Sequence, residues 1–223
     1  MKDKKTIIIC LALLGCIAAA VTDGIIKPPY AVKSLIKIIF FTAIPLFYSY
    51  IYKDSSVREL FALSKKGLLS SLLLGLIVYA AVMAFFIFSR NILDFSDVAS
   101  GLSQHENIDA GNFIYAALYV SLVNSLLEEF FFRGFAFLVL SKSAGRTAAY
   151  LFSSALFSLY HITMILKVVS PFMTVLGTAG LFLGGLIFNF LNERNGSVYS
   201  SWMVHMFADF AVVTIGLILL KMI

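Results

Sequence analysis

Charge is what this sequence has least of. Asp, Glu, Lys and Arg make up 13% of its 223 residues, against roughly 25% in a soluble domain of ordinary composition. No hydrophilic stretch is long enough to form a separate soluble domain. Cysteine is nearly absent as well, with Cys10 and Cys16 alone. Both lie in the first apolar run on different helix faces, which argues against a disulfide and offers no metal-ligand spacing. The zincin pattern His-Glu-x-x-His is missing, and so is any glycine-rich nucleotide loop. Ser125, Ser153, Ser154 and Ser158 fall near polar motifs, yet none occupies a nucleophile-elbow or Ser-Lys context. No internal repeat is visible.

What fills the chain instead is apolar. Hydrophobic residues account for 61%, and mean hydropathy is +0.96. The expected fold class is all-α: a polytopic membrane helix bundle of about seven transmembrane helices, in a single membrane domain over 1–223. Runs of spanning length fall at about 6–22, 34–52, 67–89, 111–140, 146–166, 172–191 and 198–221. Turn chemistry separates several of them, at Asp23-Gly24 with Lys27-Pro28-Pro29, at 141–145, at Ser170-Pro171 and at 192–196. Pro45 should kink the second run. The fourth run exceeds a straight span and should tilt or extend into the interface. Gly177, Gly180, Gly184 and Gly185 read as small-residue faces for close helix packing.

The net charge of +5 does not mark a nucleic-acid partner, because the basic residues sit in short loops between apolar runs. Those loops set orientation. The N-terminus and the 53–66, 141–146 and 192–197 loops hold roughly ten Lys and Arg, against five at Lys27, Lys33, Arg90, Lys167 and Lys221. A multi-pass protein of the cell membrane with a cytoplasmic N-terminus and an external C-terminus is expected. The acidic 90–110 loop then lies outside, with His105 as a solvated loop residue. Lys2 to Lys5 followed by Leu13-Leu14-Gly15-Cys16 has the look of a lipoprotein signal. The chain stays apolar through Val21, however, so an uncleaved first helix is the expectation.

The exception to this scarcity of charge is Glu128-Glu129-Phe130-Phe131-Phe132-Arg133, set inside the fourth run. Ionisable groups at membrane depth cost several kcal/mol unless they pair or line a wet cavity, so such a cluster points to function. Glu129 and Arg133 are i,i+4 and within salt-bridge reach. Glu128 is rotated about 100° away and left to meet water or a second helix, as a general base would be. On the fifth run, Phe157 and His161 share a face, so the phenyl ring can hold the imidazole. On the last, Asp209 is i,i+4 to His205, can accept from one ring nitrogen and would aim the other into the bundle.

Each motif has a plainer reading: an ion network tying helices together, a hydrogen-bonded packing histidine, an inter-helix clamp. Three of them on three helices are harder to dismiss together. Carboxylates and imidazoles without a nucleophile suit water activation, with Glu128 as base, a histidine assisting and a polarising group for the oxyanion. No cofactor is required. The alternative is that two glutamates and two histidines hold zinc, which would activate the water instead.

Glu128-Glu129-x-x-x-Arg133, Phe157-x-x-x-His161 and His205-x-x-x-Asp209, in that order and with Trp202 just ahead of His205, resemble the signature of the CAAX protease and bacteriocin-processing family. The family, also called Abi, comprises intramembrane endopeptidases. The resemblance runs from about Asn112 to Gly216, giving a catalytic core over 111–216 and leaving three helices in 1–110 without a family motif. It implies a peptide-bond hydrolase whose site lies in a cavity of the bundle. Glu128 would activate water with His161, Glu129 with Arg133 would shape the site, and His205 with position 209 would stabilise the oxyanion. Many members carry Asn where this chain has Asp209. A carboxylate cannot donate unless protonated, so Asp209 reads here as the orienter of His205.

The substrate implied is a membrane-associated peptide or protein. Bacteriocin or signal-peptide maturation and CAAX-type processing are the family's precedents, and the lipid bilayer is the other partner. A non-catalytic immunity or scaffold protein would keep the same motifs for folding or for binding a toxin. A small transporter would use the charges as a proton relay, but lacks here the Gly/Pro-broken helices in matched halves.

Overall fold

A backbone in hydrocarbon has no water to bond, so each long apolar run must close its N–H and C=O groups as helix. The structure, a computed structural model, describes residues 2–54, 56–62, 65–95, 98, 111–166 and 169–223. Among these it forms seven long helices and no strand. Helix α1 is Lys2–Val21, continued by a wider turn over Thr22–Ile26; α2 is Tyr30–Tyr52 and α3 is Lys65–Ser89. Helix α4 runs unbroken from Phe113 to Ala144. Then follow α5, Arg146–Ile165, α6, Pro171–Asn195, and α7, Val198–Leu219.

Six of these helices are long and apolar enough to cross a membrane as regular spans. The remaining one, α4, is the inner helix, touched by α1, α2, α5, α6 and α7. Two of its stretches, Tyr119–Asn124 and Glu129–Val139, are wound with π-type turns, a local widening found mostly at functional sites. More residues per turn advance the chain less along the axis, so the length of this run goes into width. Its second half is buried on all sides: Phe131, Phe132, Phe135 and Ala136 have no exposed surface. Phe41 of α2 stacks on Phe131 at 4.1 Å and meets Phe132 edge-on at 5.5 Å. The outer helices turn apolar side chains such as Tyr50, Phe88 and Val175 outward, as a lipid-facing surface requires.

The turns fall where the sequence puts them. Gly145 and Gly196 adopt φ of 84° and 65°, a left-handed conformation that glycine enters without steric cost. Ser170 caps α6, its Oγ accepting from Met173 N at 3.4 Å with Pro171 in the first turn. Pro45 lies within α2, whose helix continues on both sides. The glycine faces are narrower than expected. A Cβ on Gly185 would stand 3.0 Å from Ser154 Cα, whereas Gly180 and Gly184 have nothing within 4 Å. A closer approach, unannounced by any motif, is Gly75 of α3, where a Cβ would reach 2.6 Å from the Phe207 ring of α7.

Polar stitching fixes the helices around α4. Ser153 Oγ donates to Phe132 O at 2.8 Å, Asn189 Nδ2 to Ser154 Oγ at 3.1 Å, and Asn192 Nδ2 to Ser201 Oγ at 2.7 Å. Ser125 donates to Ser121 O and Ser158 to Ala155 O, so all four serines near the motifs serve packing. Cys10 and Cys16 are free thiols, Cys16 buried in the core. His105 and most of the acidic loop lie outside the described residues.

The bundle has two distinct ends. At one, Lys4 stands 5.8 Å above the Tyr52 ring, Arg146 Nε and Nη2 donate to Glu193 at 2.7 and 2.9 Å, and Val198 N donates to Leu60 O at 2.9 Å. At the other, Lys33 meets Asp23 at 3.9 Å, and a Cβ on Gly216 would stand 3.0 Å from the Phe113 ring.

Candidate active site

The three motifs converge. Glu128 and Glu129 are fully buried on α4, His161 comes from α5 and His205 from α7. Consecutive residues on a helix point about 100° apart, and the two glutamates use that divergence to enter different environments.

Glu129 is enclosed. Arg133 Nη1 lies 3.3 Å from Glu129 Oε1, and His205 Nδ1 donates to the same oxygen at 2.8 Å. Arg133 has no exposed surface. Its guanidinium rests 3.8 Å from the Phe157 ring centre and 4.9 Å from that of Phe188, so aromatic faces replace water around it. Phe188 also stacks on His205 at 5.3 Å. Phe157 therefore does more than the sequence suggests: it packs edge-on against His161 at 4.6 Å and carries Arg133 as well.

Glu128 is held by one oxygen and free at the other. Asn124 Nδ2 donates to Oε1 at 2.9 Å, and the Lys37 ammonium stands 3.4 Å from the same atom. Lys37 also donates to Asn124 Oδ1 at 2.8 Å. Oε2 accepts no hydrogen bond from the protein. It lies 3.6 Å from His161 Nε2 and 3.8 Å from His205 Nε2, beyond direct hydrogen bonding and in the range where a water bridges. His161 Nδ1 donates to Phe157 O at 2.7 Å, which turns Nε2 toward Glu128.

These atoms sit at the inner end of a cavity of about 330 Å³, walled also by Asp23, Tyr30, Lys33, Tyr119, Ile165 and Val212. Asp209 borders it but does not orient His205 as expected. Its Oδ1 is 3.7 Å from Nε2, while Glu129 makes the 2.8 Å bond to Nδ1. The reason is geometric: Glu129 reaches across from α4, and Asp209, one turn along α7, faces the cavity side of the ring.

Among the described residues no group of three or more His, Cys, Asp or Glu has a metal-holding arrangement. Lys37 already places a cation 3.4 Å from Glu128, which opposes a second, divalent one there.

Residues 110–211 match the family model described as type II CAAX prenyl endopeptidase, Rce1-like. Over those residues the chain is similar to the CAAX protease family. The resemblance drawn from the three motifs is thereby borne out. Neither the curated proteins nor the solved structures gave a match to the chain. The matched segment contains every motif residue together with Asn124 and Phe188, and the helices make the whole a multi-pass membrane protein. Lys37 lies outside it, on α2. Trp202, ahead of His205, anchors the segment internally: its Nε1 donates to Leu122 O and Ser125 Oγ, each at 3.1 Å, tying α7 to α4.

Proposed function

We propose that this protein is an intramembrane endopeptidase that hydrolyses a membrane-associated peptide or protein with water activated by Glu128. One observation carries the reading: Glu128 Oε2, buried and without a protein hydrogen bond, faces two imidazole Nε2 atoms at 3.6 and 3.8 Å at the end of a cavity. A water there donates one hydrogen to Glu128 Oε2 and the other to His161 Nε2. Glu128 takes its proton as the oxygen attacks the scissile carbonyl, then returns it to the departing amine. His205, protonated at both nitrogens, donates from Nε2 to the tetrahedral oxyanion while Glu129 holds Nδ1. Asp209 borders that position. Arg133 and Phe157 fix the two histidines and Glu129 in place.

The reaction so written needs no metal. A zinc-bound version would use Glu128, His161 and His205 as ligands and would have to displace or tolerate Lys37. The immunity or scaffold reading finds its support in the buried Glu129–Arg133 ion pair and the Glu129–His205 hydrogen bond, which buried charges need for folding alone.

The test is cleavage of a reconstituted peptide library by purified protein. Glu128→Gln, at equal abundance and equal folding, should lose activity by at least about a thousandfold, the scale of a general base and its proton transfers combined. A variant that cleaves normally would remove Glu128 from the role. Activity that vanishes on exhaustive chelation and returns with zinc would favour the metal route. Immunity that survives Glu128→Gln would favour the scaffold.

A further inference from the structure

The geometry points to a site that opens on the extracytoplasmic side of the membrane and takes peptide segments that have already crossed it. Two independent observations meet here. The first is where the cavity ends. Its walls come from Asp23 at the end of α1, Tyr30 and Lys33 at the start of α2, Tyr119 early in α4, Ile165 at the end of α5 and Val212 late in α7. All belong to the end of the bundle where Asp23 meets Lys33 and Phe113 meets Gly216. At 1.5 Å per residue, Lys37 lies about 10 Å and His161 about 6 Å inward from their helix ends at that face, and Glu128 and His205 about 20 Å from theirs.

The opposite end is plugged. Beyond the glutamates stand Arg133, Phe132, Phe157 and Phe188, all buried. Behind them comes the Ser153–Asn189–Ser154 hydrogen-bond node. Last, Val57 and Leu60 are buried against the bundle, Leu60 pressing within 2.6 Å of where a Gly134 Cβ would stand and accepting from Val198 N. No lining residue of the cavity belongs to that end.

The second observation is charge. The plugged end is the one that carries the N-terminal lysines and the 53–66, 141–146 and 192–197 loops, with roughly ten basic residues against five at the open end. The sequence between α3 and α4, the first ending and the second starting at the open face, carries four acidic residues, Asp94, Asp97, Glu106 and Asp109. The bias of short-loop Lys and Arg toward the cytoplasm therefore assigns the plugged end inward and the mouth outward. A peptide that stays in the cytoplasm meets the closed face. A secreted or translocated peptide, or an outward loop of another membrane protein, meets the mouth. The substrate half of this inference rests on the peptidase reading above; the orientation half does not.

The two halves are tested separately. In a Cys10→Ala/Cys16→Ala background, Ile92→Cys at the open end and Arg194→Cys at the plugged end report accessibility to a membrane-impermeant maleimide. Labelling of Ile92→Cys in intact cells, with Arg194→Cys labelled only after lysis, is the expected result; the reverse pattern overturns the proposal. Alkaline phosphatase fused after Ile223 gives a second readout without cysteines, active if the proposal holds and inactive if it fails. For substrate, two membrane-anchored reporters present the same scissile peptide, one outside and one inside. Cleavage of the outer reporter alone, lost with Glu128→Gln, supports the inference. Cleavage of the inner reporter alone overturns it. No cleavage of either, with Ile92→Cys labelled from outside, refutes the peptidase reading and the substrate half while upholding the orientation.

Discussion

Replacing Arg133 with methionine tests how much of the fold depends on its buried ion pair with Glu129. The guanidinium stands 3.3 Å from Glu129, and at an effective dielectric near 20 the two charges attract by about 5 kcal/mol. Removing one member of a buried pair strands the other, which typically costs about 3–5 kcal/mol. Here His205 still donates to Glu129 at 2.8 Å, so the lower half of that range, about 3 kcal/mol, is expected. Adding Glu129→Gln removes the stranded charge while keeping an acceptor for His205. The double variant should recover to within about 1 kcal/mol of the parent, because a neutral pair of similar volume no longer carries the desolvation cost. Denaturation in mixed detergent micelles can be followed through the single tryptophan, Trp202, which bridges α7 and α4. A double variant no more stable than Arg133→Met would refute the reasoning, and so would a loss below about 1 kcal/mol for Arg133→Met itself.

Other changes probe the same design. Lys37→Met removes the ammonium from Glu128 Oε1 and Asn124; kcat on a reporter peptide should fall roughly 10- to 100-fold with KM little changed, and Lys37→Arg should retain most of it. Asp209→Asn should cost less than tenfold, about 1 kcal/mol in kcat/KM, whereas Glu129→Leu, which leaves Nδ1 of His205 unpaired, should cost at least about a hundredfold. The opposite ranking would return the orienting role to Asp209. Gly185→Val should destabilise the bundle by about 1–3 kcal/mol in the same micelle assay, through overpacking against Ser154. Gly184→Val, with nothing within 4 Å, should be nearly neutral.

How much of this the sequence discloses depends on the range of the interaction. Helix positions, the turns at Gly145 and Gly196, the Glu129–Arg133 pair and the divergence of Glu128 are all local, set by hydrophobic period, backbone conformation and i,i+4 spacing. They were legible. Lys37 was not, because its meaning comes from how α2 docks on α4, bringing it to a partner 87 residues away. On its own it is a lysine near the end of an apolar run. Asn124 offered a fainter signal, being i,i+4 to Glu128. Phe188 is one phenylalanine among 22, and nothing in its neighbourhood distinguishes the ring that stacks on His205. The orienter of His205 was misread for a related reason: i,i+4 spacing makes Asp209 available, but a carboxylate from another helix comes closer. Spacing says which residues can meet, and only packing decides which do.

The adjacency of two glutamates with opposite surroundings is the feature that makes one of them reactive. A carboxylate removed from water must recover its solvation from charges and hydrogen bonds. Glu129 recovers it at one oxygen from both a guanidinium and an imidazole, and in return fixes the histidine that faces its neighbour. Glu128 recovers it only at Oε1, through Asn124 and Lys37, and that attachment also sets the side chain's direction. Its remaining oxygen is then aimed, dry of protein donors, at the cavity. A group so placed gains most from a hydrogen-bond donor that arrives through the cavity, and between two imidazole nitrogens the donor with two hydrogens is water. Had Glu128 been bonded to the protein at both oxygens, it would have no acceptor left for water and the site would be inert. Had neither glutamate found a partner, the helix would not stay buried.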